Sequence, residues 1–165
     1  MLKIREGSFS PQHSSPQEYY DLGLSYQNFA VACGKNKEYD QALSYFLKAM
    51  KLWQEQLSAD HPDLAALYSS LGHLYSEMGN PEEALHYNRK NICILEHLLP
   101  AKHPKLVQAY QRAGDACLAL RDWSSAQMFY QKALESTDSD RPEQQALQAQ
   151  IDSLTRHLDA SNTDG

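Results

Sequence analysis

Apolar positions along the chain recur at helical spacing, and they recur in blocks. Tyr26, Phe29, Ala30 and Cys33 fall at i, i+3, i+4 and i+7, which is one face of an α-helix. After a break from Gly34 to Lys37, the residues Tyr39, Ala42, Leu43, Phe46, Met50, Trp53 and Leu57 mark a second, longer face. Strand-like alternation is scarce. The spacing therefore predicts an all-α chain with helices over about 16–33, 39–58, 62–78, 81–98, 104–120, 123–136 and 142–158. The last carries Ala146, Leu147, Ile151, Leu154 and Leu158 on one side and Gln, Asp, Ser and Arg on the other.

The blocks are copies of one another. His61-Pro62 returns as His103-Pro104, an offset of 103 − 61 = 42. The same step aligns Tyr26, Tyr68 and Tyr110; Phe29, Leu71 and Ala113; Ala30, Gly72 and Gly114; and Cys33, Tyr75 and Cys117. It also aligns Tyr39, Pro81 and Trp123; Ala42, Ala84 and Ala126; and Met50, Ile92 and Leu134. Seven columns held across three copies without a gap exclude coincidence. They predict three helix-hairpin repeats, at about 16–58, 62–99 and 104–137, and a capping helix at about 142–158 over the open end of the stack. Ala30, Gly72 and Gly114 are expected to face Ala42, Ala84 and Ala126, since small side chains let two helices approach. A helical Gly costs about 0.5–1 kcal/mol relative to Ala, so two in register imply a packing reason.

Helix ends have their own signals. Ser15-Pro16-Gln17-Glu18 reads as a capping box with Pro at the first helical position. Asn80-Pro81-Glu82-Glu83 follows the same logic, and Asp122 is placed to cap the helix entering at Trp123. The segments 1–14 and 160–165 are short, polar and aperiodic, and read as disordered tails around a domain spanning about 15–159. Ser10-Pro11 and Ser15-Pro16 are candidate sites of proline-directed phosphorylation.

Composition narrows the function classes. The 165 residues carry a net charge of −6 with pI near 5.6, which argues against a binder of nucleic-acid phosphates. No apolar run approaches the roughly 20 residues of a membrane span, so membrane insertion is not expected. The opening Met1-Leu2-Lys3-Ile4-Arg5-Glu6-Gly7 lacks the apolar core of a secretory signal, and a cytoplasmic location is expected. Cys33, Cys93 and Cys117 form no Cys-x-x-Cys pair, so no thiolate zinc site is expected. Cys33 and Cys117 share a column with Tyr75 and read as core filler. His61 and His103 lie a full repeat apart, too far to share a metal ion, and read as junction residues. Trp53 and Trp123 are expected on core faces. There is no phosphate-binding Gly loop and no carboxylate pair to support catalysis. No enzyme activity, cofactor or metal is expected.

The stretch Tyr68-x-x-Leu71-Gly72-x-x-Tyr75, then Gly79-Asn80-Pro81-x-x-Ala84-Leu85 and Asn91-Ile92, resembles the tetratricopeptide repeat (TPR). A standard repeat has ~34 residues. The longer repeat and the His-Pro junction resemble the kinesin light chain and nephrocystin type. The resemblance implies a right-handed solenoid whose concave groove, lined by the first helix of each hairpin, holds an extended or short helical peptide of a partner protein. The implied role is a protein-binding adaptor or scaffold. A structural module that self-associates, or stacks on other repeats through Tyr19, Tyr20 and Leu22, is the alternative. Two features depart from the pattern. Asn88 and Asn91 occupy columns held by Phe46 and Tyr130, and by Ala49 and Ala133. An unpaired buried amide costs on the order of 1–3 kcal/mol, so hydrogen-bond partners are expected. Ser136 to Asp140 end the third repeat early.

Helical phase and the family's groove geometry together name the ligand-facing residues. They are Leu24, Gln27, Asn28, Val31 and Lys35 in the first repeat; Ser69, Ser70, His73 and Glu77 in the second; and Gln108, Gln111, Arg112, Asp115 and Leu118 in the third. The surface is polar and amide-rich, with balanced charge and a few apolar anchors, which suits main-chain recognition. The chaperone-binding class of TPR grips a terminal carboxylate with Lys, Asn and Arg. The corresponding positions here are Gln27, Val31, Ser70, Gln108 and Arg112, and only Arg112 matches. Arg112 has two readings, a ligand carboxylate or Asp115 at i+3. His73 also has two: pH-sensitive binding, or an ordinary polar groove residue.

Overall fold

The computed structural model describes residues 15–137 and 142–163. The expected N-terminal tail, with Ser10-Pro11, lies outside the described residues. So do 138–141 and 164–165. The described residues form seven helices and no strand: α1 Pro16–Lys35, α2 Tyr39–Gln56, α3 Pro62–Glu77, α4 Pro81–Leu98, α5 Pro104–Ala119, α6 Trp123–Glu135 and α7 Pro142–Thr163. They divide into two compact units, one ending at Ser58 and one starting at Ala59.

Helix starts follow the local chemistry with two exceptions among the described residues. The Ser15 hydroxyl accepts from the Glu18 backbone N–H at 3.3 Å, and the Glu18 carboxylate accepts from the Ser15 N–H at 2.8 Å. Asp122 accepts from the Ser125 N–H at 3.1 Å. The junction histidines are themselves caps. His61 Nδ1 accepts from the Asp63 N–H at 3.2 Å, and His103 Nδ1 from the Lys105 N–H at 3.1 Å. Glu38 before α2 and Asn80 before α4 are the exceptions, because neither side chain makes a capping bond. α4 instead starts on Pro81, whose φ is preset for a helix, with Glu82 and Glu83 against the positive end of the dipole.

Each hairpin turns on one left-handed residue. Lys37, Gly79 and Arg121 have φ of 62°, 73° and 58°, and they are spaced 42 apart. Each sits inside a Schellman closure: the N–H groups of Glu38, Asn80 and Asp122 donate to the carbonyls of Cys33, Tyr75 and Cys117, all at 2.9 Å.

In the first unit, α1 and α2 form one hairpin. Trp53 is fully buried and lies across Gly23, where an added Cβ would overlap the indole ring. Its Nε1–H donates to the Tyr20 carbonyl at 3.3 Å. Ala30, Ala42, Phe46 and Ala49 fill the rest of this core. Tyr26, Phe29, Cys33 and Met50 are only half-buried.

In the second unit, each helix packs on the next in sequence, and α3 and α5 also touch. Leu64, Leu67, Leu71, Ala109, Ala113 and Cys117 are buried along α3 and α5. The expected partner of the small column needs correction. The nearest neighbours of a Cβ added to Gly114 are ring atoms of Tyr130, 2.8 Å away. At Gly72 the clash is with the Asn88 amide, and only the backbone of Ala84 is near. The glycines thus make room for a side chain laid flat across the helix, not for a small residue opposite.

Aromatic rings stitch the first two hairpins. Tyr26 stacks on Tyr45 with centroids 6.0 Å apart, and Tyr68 lies 6.0 Å from Tyr87. A lysine column runs beside them: Lys48 lies 5.5 Å from the Tyr26 ring, Lys90 5.4 Å from Tyr68, and Lys132 5.4 Å from Tyr110. Lys132 also pairs with Glu96 at 3.5 Å, and Glu96 accepts from the Tyr110 hydroxyl at 2.6 Å.

α7 packs on α6 and buries Leu147, Ile151 and Leu154. Ala146 stays exposed and Leu158 half-buried, so the apolar stripe is narrower than expected. Gln127 bonds Thr155 at 2.7 Å. Trp123 is half-buried and meets His157 of the cap edge-on, with ring centroids 4.6 Å apart. The helix continues to Thr163, so part of the segment expected as a tail is helical.

Candidate functional site

α3 and α5 are the first helices of consecutive hairpins, and their exposed sides meet at one contact. Arg112 Nη1 donates to the Ser69 hydroxyl at 2.7 Å. Beside this bridge an open cavity of about 260 Å³ runs toward the helix N-termini. α3 supplies Ala65, Ala66 and Ser69 to its walls, and α5 supplies Lys105, Gln108 and Arg112. The floor comes from α4, through Asn91, Leu95 and Leu98. Leu98 is 44% exposed, a large apolar side chain with an open face.

Three of the residues named from sequence therefore meet here: Ser69, Gln108 and Arg112. The others lie elsewhere on the same helices. Ser70 is half-exposed and donates to its own helix at the Ala66 carbonyl, 3.0 Å away. His73 and Glu77 are exposed one and two turns beyond Ser69 on α3. Gln111 and Leu118 are half-exposed on α5 and Asp115 is exposed. In the first unit, Leu24, Asn28, Val31 and Lys35 are exposed on α1 and Gln27 is half-exposed.

The electrostatics separate the two readings of Arg112. Asp115 accepts a hydrogen bond from the Tyr130 hydroxyl, and no Arg112–Asp115 ion pair forms among the described residues. Burial lowers the Arg112 guanidinium below its ordinary value, and attraction from Asp115 offsets this in part. Burial and the bond to Asp115 both push the Tyr130 phenol well above the usual tyrosine range. Arg112 is thus a partly desolvated cation held by a neutral hydroxyl.

The α4 floor was not among the residues named from sequence. Asn91 had a signal, as an amide in a column otherwise filled by Ala49 and Ala133. Leu95 and Leu98 had none, because they continue the core stripe of their helix. Among the described residues no group of three or more His, Cys, Asp or Glu is placed to hold a metal ion. No described helix is long and apolar enough to cross a membrane.

A tetratricopeptide repeat profile matches residues 21–90, and a second matches 107–140. No curated protein matches the chain in sequence. Solved structures do match in fold. The N-terminal domain of stress-induced protein-1 from C. elegans superposes with a TM-score of 0.66 at 20% identity, covering 83% of this chain and 97% of that one. A putative kinesin light chain from Podosopora anserina, with nearly identical TPR-like repeats, gives 0.67 at 18% identity over 86% of this chain and 67% of that one. The first TPR domain of Spaghetti (RPAP3), bound to the HSP90 peptide SRMEEVD, gives 0.62 at 18% identity over 89% and 98%. With its hairpins, its 42-residue register and these matches, the chain is an all-α member of the tetratricopeptide repeat family.

Proposed function

We propose that this protein is a non-enzymatic adaptor or scaffold that docks a peptide segment of a partner protein on the exposed side of α3 and α5. The observation that carries this reading is the Arg112–Ser69 bridge beside an open, mostly apolar cavity. Polar groups fix a peptide's direction there, and an apolar wall supplies the affinity. The related RPAP3 domain was solved with a peptide bound, which supports peptide docking as the mode. The exposed α1 residues Leu24 and Val31 offer a further contact surface of the same kind in the first unit. A cytoplasmic location belongs to this reading.

The test pairs Gln108→Ala with Arg112→Ala, since both side chains line the cavity. Peptides selected on the full chain from a random display library are expected to lose affinity for this variant while its helical content persists and its Tm falls by no more than a few degrees, the loss of the bond to Ser69. Undiminished binding would remove the α3–α5 surface from consideration.

A further inference from the structure

We propose that His103 is an acid-sensitive latch on α5: a proton on its Nδ1 releases the first turn of that helix, while the matching His61 keeps α3 closed.

The two junction histidines cap with the same atom. His61 Nδ1 accepts from the Asp63 N–H at 3.2 Å, and His103 Nδ1 from the Lys105 N–H at 3.1 Å. Each is the N-cap of its helix, with an extended backbone. An imidazole nitrogen that accepts carries no hydrogen, so the ring hydrogen sits on Nε2. A Ser, Thr or Asn cap would remain an acceptor on acidification. Imidazole ordinarily takes up a proton near about pH 6.5, and both nitrogens are then donors. Cap and proton compete for one lone pair. The cationic ring also faces the positive end of the helix dipole.

The two sites differ in the residue that stands two places on. At α3 it is Asp63, whose Oδ2 lies 3.6 Å from His61 Nδ1. A proton gained there meets a carboxylate, and an ion pair replaces the lost cap. One repeat later the same place holds Lys105, which repels the proton and cannot accept it. The other charged groups at this end of the unit are Lys102 in the preceding turn, Glu96 and His97 in the last turn of α4, and Glu135 in the last turn of α6. Glu96 is engaged by Tyr110 and Lys132. His97 faces Asp60 at 3.6 Å, and Glu135 accepts from Gln131 at 3.3 Å. No ion pair to His103 forms among the described residues. Protonated His103 therefore loses its cap and gains no partner.

The loss falls on one bond. Pro104 has no N–H to donate, and the Leu106 and Val107 N–H groups reach the His103 carbonyl at 2.9 and 3.4 Å. Lys105 is the first-turn donor whose bond needs the imidazole. The stabilisation is complete above the ordinary histidine range and is lost as pH falls through it. Lys105 also lines the cavity, with Gln108 one turn on. Where a partner docks there, a step that rests on the reading above, acid loosens the α5 wall and leaves the α3 wall in place.

The test is made on the full chain without any peptide. Long-range proton–nitrogen NMR correlations report the form of each imidazole, and amide exchange, corrected for intrinsic rate, reports each cap. At about pH 7.5, above the ordinary histidine range, both rings are expected in the Nε2–H form. Between about pH 7.5 and about pH 5.5, the Lys105 amide is expected to lose about fivefold in protection, the contribution of one cap. The Asp63 amide is expected to keep its protection. Exchanging the two side chains, Asp63→Lys with Lys105→Asp, is expected to reverse the order of the sites. His103→Asn keeps a cap that does not titrate. It is expected to remove about fivefold from the parent's acid loss in folded-to-unfolded ratio, read from urea midpoints. An Nδ1–H ring at His103, or Lys105 protection indifferent to pH, overturns the latch. So does an acid loss unchanged in His103→Asn, or an equal loss of protection at Asp63. Any of these results leaves peptide docking standing, and a failure of docking leaves the latch standing.

Discussion

Arg112 on α5 and Ser69 on α3, 43 residues apart in sequence, are joined by a 2.7 Å hydrogen bond from guanidinium to hydroxyl. The bond links the first helices of two neighbouring repeats. Ser69→Ala, Arg112→Gln and the double variant form a thermodynamic cycle. Bonds to charged groups contribute about 1.5–3 kcal/mol when well buried. Both side chains here are half-exposed, so a coupling of about 1 kcal/mol is expected in urea unfolding. A coupling of zero would mean the two groups merely rest against each other.

Asn88 is 2% exposed, and its Oδ1 has no hydrogen-bond partner among the described residues. This contradicts the expectation from sequence that the amide would be satisfied. The amide is laid against Gly72, which gives space but no donor. Asn88→Leu keeps the volume and removes the unsatisfied oxygen. It is expected to raise unfolding free energy by about 1 kcal/mol, read from the urea midpoint. A loss of stability would contradict this account of the site.

Arg121 has a left-handed backbone at φ 58°, a conformation that costs a residue with a Cβ about 1–2 kcal/mol. Arg121→Gly is expected to stabilise the chain by about 0.5–1 kcal/mol, less than the full cost because Gly also frees the unfolded chain. The reverse change, Gly79→Ala, is expected to destabilise by a similar amount. An added Cβ at Gly79 meets nothing within 4 Å, so backbone strain is its sole cause. Calorimetric melts of both variants, shifting in opposite directions, check the pair.

Tyr130 titrates well above the tyrosine norm, first because it is buried and then because it donates to Asp115. In the unfolded chain it ionises near the ordinary value of about 10. Below that pH both states hold the proton and the contribution is complete. Above it the unfolded chain ionises while the folded chain does not, so stability falls as pH rises. Tyr130→Phe is expected to flatten the decline in urea midpoint between pH 9 and 11 without abolishing it. Tyr110, raised by burial and its bond to Glu96, adds a decline of its own. Identical slopes for both proteins would refute the assignment.

The hairpins were legible because their packing repeats every 42 residues, so the same side-chain type returns at Tyr26, Tyr68 and Tyr110. The turns were less so. Only Gly79 advertises its left-handed backbone, while Lys37 and Arg121 hide theirs behind ordinary side chains. The histidine junctions were visible as a spacing but not as caps, because imidazole stands outside the usual Ser, Thr, Asp and Asn set. Helical phase put Ser69, Gln108 and Arg112 on the accessible side of their helices. It had no means of placing Leu95 and Leu98, whose role as floor depends on how far apart α3 and α5 stand. That distance is a tertiary property, and no single-helix pattern encodes it.

Among the described residues, α3 and α5 are the one pair of helices in the second unit that touch without being consecutive in the chain. Every other helix contact there joins sequence neighbours, as expected of a quasi-linear array whose repeats can open one at a time. An occupant of the cavity would bear on three helices at once and act as a clasp across two repeats. Its arrival would convert piecemeal opening of the second and third hairpins into a single shared event. Amide exchange along α4, the helix between them, would then slow more than the affinity for any one helix alone accounts for.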